Sequence, residues 1–534
     1  MSSTDYKEIK EFFKQLEKKN IKGNLFEEKF LYENVSMWNF FKQRFIKNTF
    51  PKHLDNYEKV VLRIKNKEQP KKSLKNNLLR KGFLANQLLK ILITSKGKKT
   101  FSTKGKNKIL FHANTNALIK KGKSFEIDRI QKIFDKVKQD KQLQAELILS
   151  DPLSHKASPK LLNFNNVLDS FITSKDINKA RINSKKIHKE WKKTKKNISF
   201  KDAKEKVFFK QFGEHFDFYF SREILFITIL YYEAFKKVIS KYNFKAVIIY
   251  AADNITDKCL IYAADNLNVP TIRVPHGIGA TAGKWDFPKS HYLLSIGPLQ
   301  KNMLVKTGAP EKNIIVTGPV LSYEIKDFIR QQPERKKSEK IILFCTGPMI
   351  EENFITKKEF FKHMEVYIKV LSKIKDYKIL IKPHPLEKNL KDYLNIIKKH
   401  KIKNISLERA SKGKEHLYKL INKCDLFISV FSTTLWEANI MGKTTILIGL
   451  YPKKIIDKEG VFHKTSDCVI KVKTGEELLS AVKIYLYDKK KNEELKEKRK
   501  EFLDLYCYKC DGLELERMMQ SIKKIIFKNK QEQN

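Results

Sequence analysis

Leu426-Phe427-Ile428-Ser429-Val430-Phe431-Ser432-Thr433-Thr434-Leu435-Trp436-Glu437-Ala438 is the stretch that decides how this chain folds. It opens with an apolar run of strand length, passes through three hydroxyl residues suited to starting a helix, and takes helical spacing from Thr434 to Met441. After the Gly442-Lys443 turn a second apolar run follows, Thr445-Ile446-Leu447-Ile448. Continuous apolar strands alternating with helices belong to parallel sheets that are covered on both faces.

The same alternation extends outward. Ile341-Ile342-Leu343-Phe344, Ile379-Leu380-Ile381 and Ile405-Ser406-Leu407 predict strands, with helices predicted over 357–374, 390–399 and 415–422. Residues 322–339 are polar and Lys-rich, contain Pro333, and read as a linker. Before them the pattern recurs, with strands predicted at 109–112, 146–150, 246–250, 271–274, 292–295 and 314–316. Between these lie a helically spaced window from Glu126 to Val137, a charged segment over 174–206 read as a helical insertion, and an aromatic-rich helix from Ile224 to Ile239. The expected fold class is α/β, with two doubly wound Rossmann-like domains at 108–321 and 340–488 joined by the linker 322–339. Residues 1–107 are expected to be a helical basic extension. Residues 489–534 are expected to be a charged C-terminal helix that crosses back over the first domain.

Composition agrees with a folded two-domain chain. The 534 residues exceed one ordinary core, and 41% hydrophobic residues with 36 Phe and 20 Tyr supply ample core material. Lys+Arg number 109 against 60 Asp+Glu, a formal charge of +49 that favours anionic partners. Lys, Asn and Ile are abundant everywhere, so the charge alone identifies no partner. Six cysteines are scattered without a secretory leader, which points to a reducing cytoplasm rather than a disulfide framework. Cys507 and Cys510 have Cys-x-x-Cys spacing, but no second pair follows to complete a zinc site, and no metal is expected. No run approaches the ~20 apolar residues of a membrane-spanning helix.

The N-terminal region has two features. Ile9, Phe12, Phe13 and Leu16 share a helical face, and Met37-Trp38-Asn39-Phe40-Phe41 begins another apolar helix. Between 61 and 108 there are fifteen Lys/Arg against the single acid Glu68, interleaved with leucines and isoleucines. Such a basic amphipathic segment suits an anionic membrane surface, which would place the protein peripherally on the inner face of the cell membrane. A basic linker with a docking helix fits the same residues.

In open parallel sheets ligands bind beyond the carboxyl ends of the strands, so the residues just after each apolar run are the site candidates. Lys382-Pro383-His384-Pro385 is a rigid turn that presents one cation and one imidazole, as a phosphate clamp would; a strand-ending turn with a hydrogen-bonded histidine is the plainer alternative. Ser432 and Thr433 open a helix whose free N–H groups favour an anion, and Glu437, about one turn on, is placed to accept ribose hydroxyls. Simple N-capping is the alternative there. Val274-Pro275-His276-Gly277-Ile278-Gly279 ends a first-half strand, with His276 able to take a proton near neutral pH and Gly277 letting a ligand approach the backbone.

These three motifs, in this order over roughly 245–450, resemble bacterial and archaeal capsule and teichoic-acid transferases: CDP-glycerol glycerophosphotransferases, capsule Kdo transferases and polysialyltransferases. More distantly the chain is similar to UDP-N-acetylglucosamine 2-epimerases, which share the two-domain GT-B fold. The resemblance implies a metal-independent glycosyltransferase without a cofactor, whose substrate is a CMP-, CDP- or UDP-linked donor and whose acceptor is a cell-surface polysaccharide or lipid-linked glycan. It assigns the first domain to the acceptor and the second to the nucleotide. It places Lys382 and His384 on the donor phosphates with Ser432 and Thr433, Glu437 on the ribose, and His276 as general base. The acidic Asp/Glu-Asp-Gly motif of polysialyltransferases is missing from the first half, which leaves the base open to Asp253. Two other classes compete: a sugar-nucleotide epimerase of the same fold, and a basic nucleic-acid-binding protein, for which no groove-reading module is found and no specific nucleic acid is expected.

Overall fold

The computed structural model describes the chain apart from residues 1–10, 48–100, 103–104, 106, 115–117, 122–123, 128–129, 151–165, 251–254, 276–290, 307, 333–338, 352–354, 409–413, 431–433, 451–466 and 532–534. The segment 61–100, which carries most of the basic amphipathic stretch, lies outside the described residues.

Two six-stranded sheets form, and every strand pair within them is parallel. The first contains β1 (Lys108–Asn114), β2 (Gln144–Ser150), β3 (Ala246–Tyr250), β4 (Thr271–Val274), β5 (His291–Ser295) and β6 (Ile314–Val316), in the order β6-β5-β4-β3-β1-β2. The second contains β7 (Ile341–Cys345), β8 (Lys378–Lys382), β9 (Ile405–Leu407), β10 (Leu426–Ser429), β11 (Thr444–Ile448) and β12 (Val469–Val472), in the order β9-β8-β7-β10-β11-β12. The chain is thus an α/β protein with two doubly wound parallel sheets. Each sheet reverses its winding once, between β1 and β3 in the first and between β7 and β10 in the second. Those reversals leave crevices at the strand ends.

Burial explains the continuous apolar runs. In the second sheet Ile342, Phe344, Ile379, Ile381, Leu426 and Ile428 face one way, onto Met364, Tyr367, Tyr393 and Leu478 of the helices Lys357–Leu371, Leu390–Lys399 and Gly475–Tyr487. Leu343, Cys345, Leu380 and Phe427 face the other way, onto Ile325, Ile421, Leu435 and Phe502 of four further helices. With both faces covered, both parities of a strand are mainly apolar.

The N-terminal residues are not an appendage. Phe12, Phe13, Phe26, Phe30, Trp38, Phe40 and Phe41 are buried with Trp191, Phe216, Phe220 and Tyr232 in one aromatic core. The ring centroids of Phe30 and Phe220 are 4.5 Å apart, and Trp38 stacks on Phe216 at 5.7 Å. The region is also not wholly helical. Two small antiparallel ribbons, Asn20–Ile21 with Asn24–Leu25 and Leu31–Tyr32 with Val35–Ser36, interrupt it. Their two-residue turns have positive φ at Lys22 and Gly23 (51° and 89°) and at Glu33 and Asn34 (47° and 65°), the geometry whose twist matches a hairpin.

Three further expectations are refined. The charged stretch 174–206 yields the helix Ser174–Asn197, opened by a Thr173/Asp176 capping box, and it packs Ala180, Ser184, Ile187 and Trp191 inward at helical spacing. It is helical as expected, and it packs into the aromatic core of the first domain. The window Glu126–Val137 splits into a strand, Ser124–Ile127, paired with Leu118–Lys121, and a helix, Gln131–Gln139. The helix Val320–Arg330 takes in residues 322–330 of the expected linker, with Leu321 and Ile325 buried in the second core and Val320 in the first.

The tail comprises two helices. Lys489–Cys507 packs Phe502 and Tyr506 against Trp436 of the second domain. The chain then reverses through Tyr508, Lys509 and Cys510, all at positive φ. The helix Glu514–Gln531 returns to the first domain, burying Leu515, Met518, Ile522, Ile525 and Ile526 with Ile109, Phe111 and Ile133. The crossing is close: a Cβ on Gly297 would lie 2.2 Å from the Tyr506 carbonyl oxygen.

Candidate functional site

The winding reversal of the second sheet brings together the ends of β7, β8 and β10. Cys345 is paired in register with Lys382 on one side and Ser429 on the other. Side chains two residues apart on a strand share a face, so Lys382 follows Leu380 and Ser429 follows Phe427 onto the side covered by the helix Thr434–Ile440. Lys382, Cys345, Ser429 and, from that helix, Glu437 are all buried. Burial pushes the Cys345 thiol far up; the Lys382 charge pulls against this, while Cys424, Glu437 and Glu387 add to it. The charges of Lys382, Glu437 and Glu387 thus all act on a single strand end. The Ser429 hydroxyl makes no hydrogen bond among the described residues, although it is fully buried.

The turn after β8 is held from several directions. The Thr346 N–H donates to the Lys382 carbonyl at 3.1 Å, tying the end of β7 to the turn. The His384 N–H donates to Glu387 Oε1 at 2.7 Å, and the Glu387 N–H donates back to the His384 carbonyl at 2.9 Å. The Leu386 N–H donates to His384 Nδ1 at 3.2 Å, so Nδ1 is an acceptor and the ring proton sits on Nε2. Burial, and then the charge of Lys382, holds the His384 imidazole below its usual pKa, with Glu351 opposing. At neutral pH this ring is a neutral hydrogen-bond donor.

Glu387 was not singled out in the sequence. It is buried, and its Oε1 also accepts from Thr346 Oγ1 at 2.5 Å while Oε2 accepts from the Tyr393 hydroxyl at 2.7 Å. Burial raises its pKa, opposed by the bonds from Thr346, the His384 N–H and Tyr393. Glu387 stands three residues after His384, and a carboxylate so placed against a turn is the only signal the sequence carried.

Of the residues expected to form the site, Lys382, His384 and Glu437 gather at this edge. Lys382 lies within the buried row, and His384 is half-buried in the turn. Ser432 and Thr433, and in the first domain His276, Gly277 and Asp253, lie outside the described residues.

The first domain has its own buried polar chain at the reversal between β1 and β3. His112 Nδ1 is 3.1 Å from Asp257 Oδ1, and His112 Nε2 is 2.7 Å from Ser150 Oγ, which is 3.2 Å from Asn114 Oδ1. Nearby, Thr271 Oγ1 lies 2.6 Å from His291 Nδ1. Burial holds the His291 pKa far below its usual value, helped by the Arg273 and Lys258 charges. None of these residues is a site candidate in the sequence: His112 lies within an apolar run, and Asn114, Ser150, Thr271 and His291 are terminal residues of their strands.

Among the described residues no group of three His, Cys, Asp or Glu side chains could hold a metal, and no helix is long and apolar enough to cross a membrane. Cys507 and Cys510 are both buried, with Cys510 Sγ 3.3 Å from Ser322 Oγ.

No protein-family model matches the chain, and no curated protein sequence matches it significantly. Among solved structures it is similar to a Listeria monocytogenes protein described as a UDP-N-acetylglucosamine 2-epimerase, at 13% identity over 79% of this chain and 96% of that one, with a TM-score of 0.49. It is also similar to the UDP-GlcNAc 2-epimerase of Neisseria meningitidis bound to UDP-GlcNAc, at 13% identity over 78% of this chain and 100% of that one, TM-score 0.44. A third such structure is the wall teichoic acid polymerase TagF, at 13% identity over 83% of this chain and 98% of that one, TM-score 0.43.

Proposed function

We propose that this protein is a glycosyltransferase of the GT-B type that moves a sugar, or a polyol phosphate, from a nucleotide-activated donor to a cell-surface polysaccharide or lipid-linked glycan. The observation that carries the reading is the convergence of Lys382, His384 and Glu437 at the winding reversal of the second sheet, where an open parallel sheet binds its ligand. The His384 Nε2–H is a neutral donor for a phosphate oxygen, Lys382 adds positive potential beneath it, and Ser432 and Thr433 precede a helix start that favours anions. Glu437 is assigned to the ribose.

In the transfer an acceptor hydroxyl oxygen bonds to the anomeric carbon, or to phosphorus for a polyol phosphate donor. The bond from that atom to the leaving nucleotide breaks, and its electron pair departs on the nucleotide phosphate. The hydroxyl proton passes to His276 or Asp253, both assigned to the first domain across the cleft. Lys382 by its charge, and His384 and the helix start by hydrogen bonding, stabilise the leaving phosphates, the groups a metal-independent transfer uses. The segment 61–108 is assigned to an anionic membrane surface, where a lipid-linked acceptor would be found.

The test is a thermal-shift screen with CMP, CDP, UDP, GDP and their sugars, since a ligand that binds only the folded state raises its melting temperature. A shift with one nucleotide, followed by transfer to an added acceptor, is the expected result. No shift with any of them rejects the donor site. Turnover of the donor to an epimer without an acceptor selects the epimerase instead.

A further inference from the structure

Three separate elements meet on one side chain beside the His384 turn. Glu387 accepts from Thr346 at the end of β7 (2.5 Å), from the His384 N–H within the turn (2.7 Å), and from Tyr393 on the helix Leu390–Lys399 (2.7 Å). A buried carboxyl group is costly unless its oxygens are satisfied, so these bonds are strong only while all three elements keep one arrangement. That arrangement also aims the Leu386 N–H at His384 Nδ1, which puts the ring's donor proton on Nε2.

We propose that Glu387 is the positioning residue of the donor clamp: through Thr346, the His384 N–H and Tyr393 it fixes the direction and tautomer of the His384 ring toward a nucleoside diphosphate. Glu387 itself, fully engaged and buried, does not touch the ligand. The proposal rests on the donor-site reading above, and its test has a readout that needs no ligand.

Two substitutions separate hydrogen bonding from packing. In Glu387→Gln the amide oxygen still accepts from Thr346 and the His384 N–H, and its NH2 donates to the Tyr393 hydroxyl, which turns to accept. Glu387→Met keeps the length and fills the space but accepts nothing. With 15N-labelled histidine, the wild type and Glu387→Gln are expected to show His384 as the Nε2–H tautomer, identified by its loss in His384→Ala, and Glu387→Met to show a mixture of both tautomers. Titration with UDP, CDP and CMP is expected to give affinities within about threefold of wild type for Glu387→Gln. For Glu387→Met the loss is on the order of tenfold or more, the factor that one charge-assisted contact is worth. A Glu387→Met protein with the wild-type tautomer and affinity overturns the proposal. So does a Glu387→Gln protein as impaired as Glu387→Met. If the wild type binds none of the three nucleotides, the donor-site reading falls and the tautomer spectra alone decide the role of Glu387.

Discussion

Replacing His384 with alanine tests the donor site most directly. The ring is half-buried, its Nδ1 accepts from the Leu386 N–H, and its donor proton is therefore on Nε2. Its truncation removes one neutral local hydrogen bond, which costs the fold about 1 kcal/mol, and one hydrogen bond to a charged phosphate, worth about 1.5 to 3 kcal/mol. At 1.4 kcal/mol per tenfold, nucleotide affinity is expected to fall about 10- to 150-fold while the protein stays folded. The pH dependence sharpens the test. Because burial and Lys382 hold the His384 pKa below its usual value of about 6.5, the neutral ring predominates at pH 7 and above. The ratio of wild-type to His384→Ala affinity, measured by calorimetry with whichever nucleotide the screen identifies, should therefore stay nearly constant from pH 7 to 8. An imidazolium clamp would behave in the opposite way, its advantage shrinking as pH rises through the ordinary histidine pKa of about 6.5. Wild-type affinity in the alanine variant removes His384 from the site, and a ratio that collapses with rising pH refutes the neutral-donor assignment.

Other expectations concern the rest of the chain. Phe30→Ala, which empties a fully buried site between Phe220, Trp191 and Phe26, should destabilise the protein by about 3 to 5 kcal/mol in denaturant unfolding; a loss below about 1 kcal/mol would contradict the docking of residues 11–41. Flotation with anionic vesicles should weaken as salt rises, and weaken again when Lys71, Lys72, Lys75, Arg80 and Lys81 are neutralised, at about 1 kcal/mol per residue. Equal flotation of variant and wild type would make the segment a linker. For the general base, kcat of His276→Ala and Asp253→Asn is compared side by side. Loss of the base costs typically about 10²- to 10⁴-fold in kcat with little change in donor affinity, and near-normal turnover in one variant assigns the role to the other.

Local pattern was enough for the two sheets. Each central strand is an apolar run because helices cover both of its faces, and that signature survives in the sequence without knowledge of the partners. Ile341–Phe344, Ile379–Ile381, Leu426–Ser429 and Thr445–Ile448 all fall inside strands for this reason. Val469–Val472 escaped notice because an edge strand with Lys471 in it carries a weaker apolar run. The turn Lys382–Pro385 was legible as a rigid presenter of a cation and an imidazole, since proline acts on its own residue and the one before it.

Whatever depends on distant residues meeting could be decided only by the tertiary structure. Phe12 and Phe13 have helical spacing, but nothing local shows that Trp191, Phe216 and Phe220 lie against this segment, so it reads as an extension when it is part of a core. His112 looks like an imperfection in an apolar run until Asp257 and Ser150 are brought to its two ring nitrogens. Glu387 reads as a surface glutamate. It becomes the anchor of the turn only when Thr346, 41 residues earlier, reaches it across the sheet and Tyr393 reaches it from the next helix. Periodicity is written along the chain because solvent and core act on each residue in turn; hydrogen bonds between separate elements are set by where the chain returns, and the sequence carries no local trace of that.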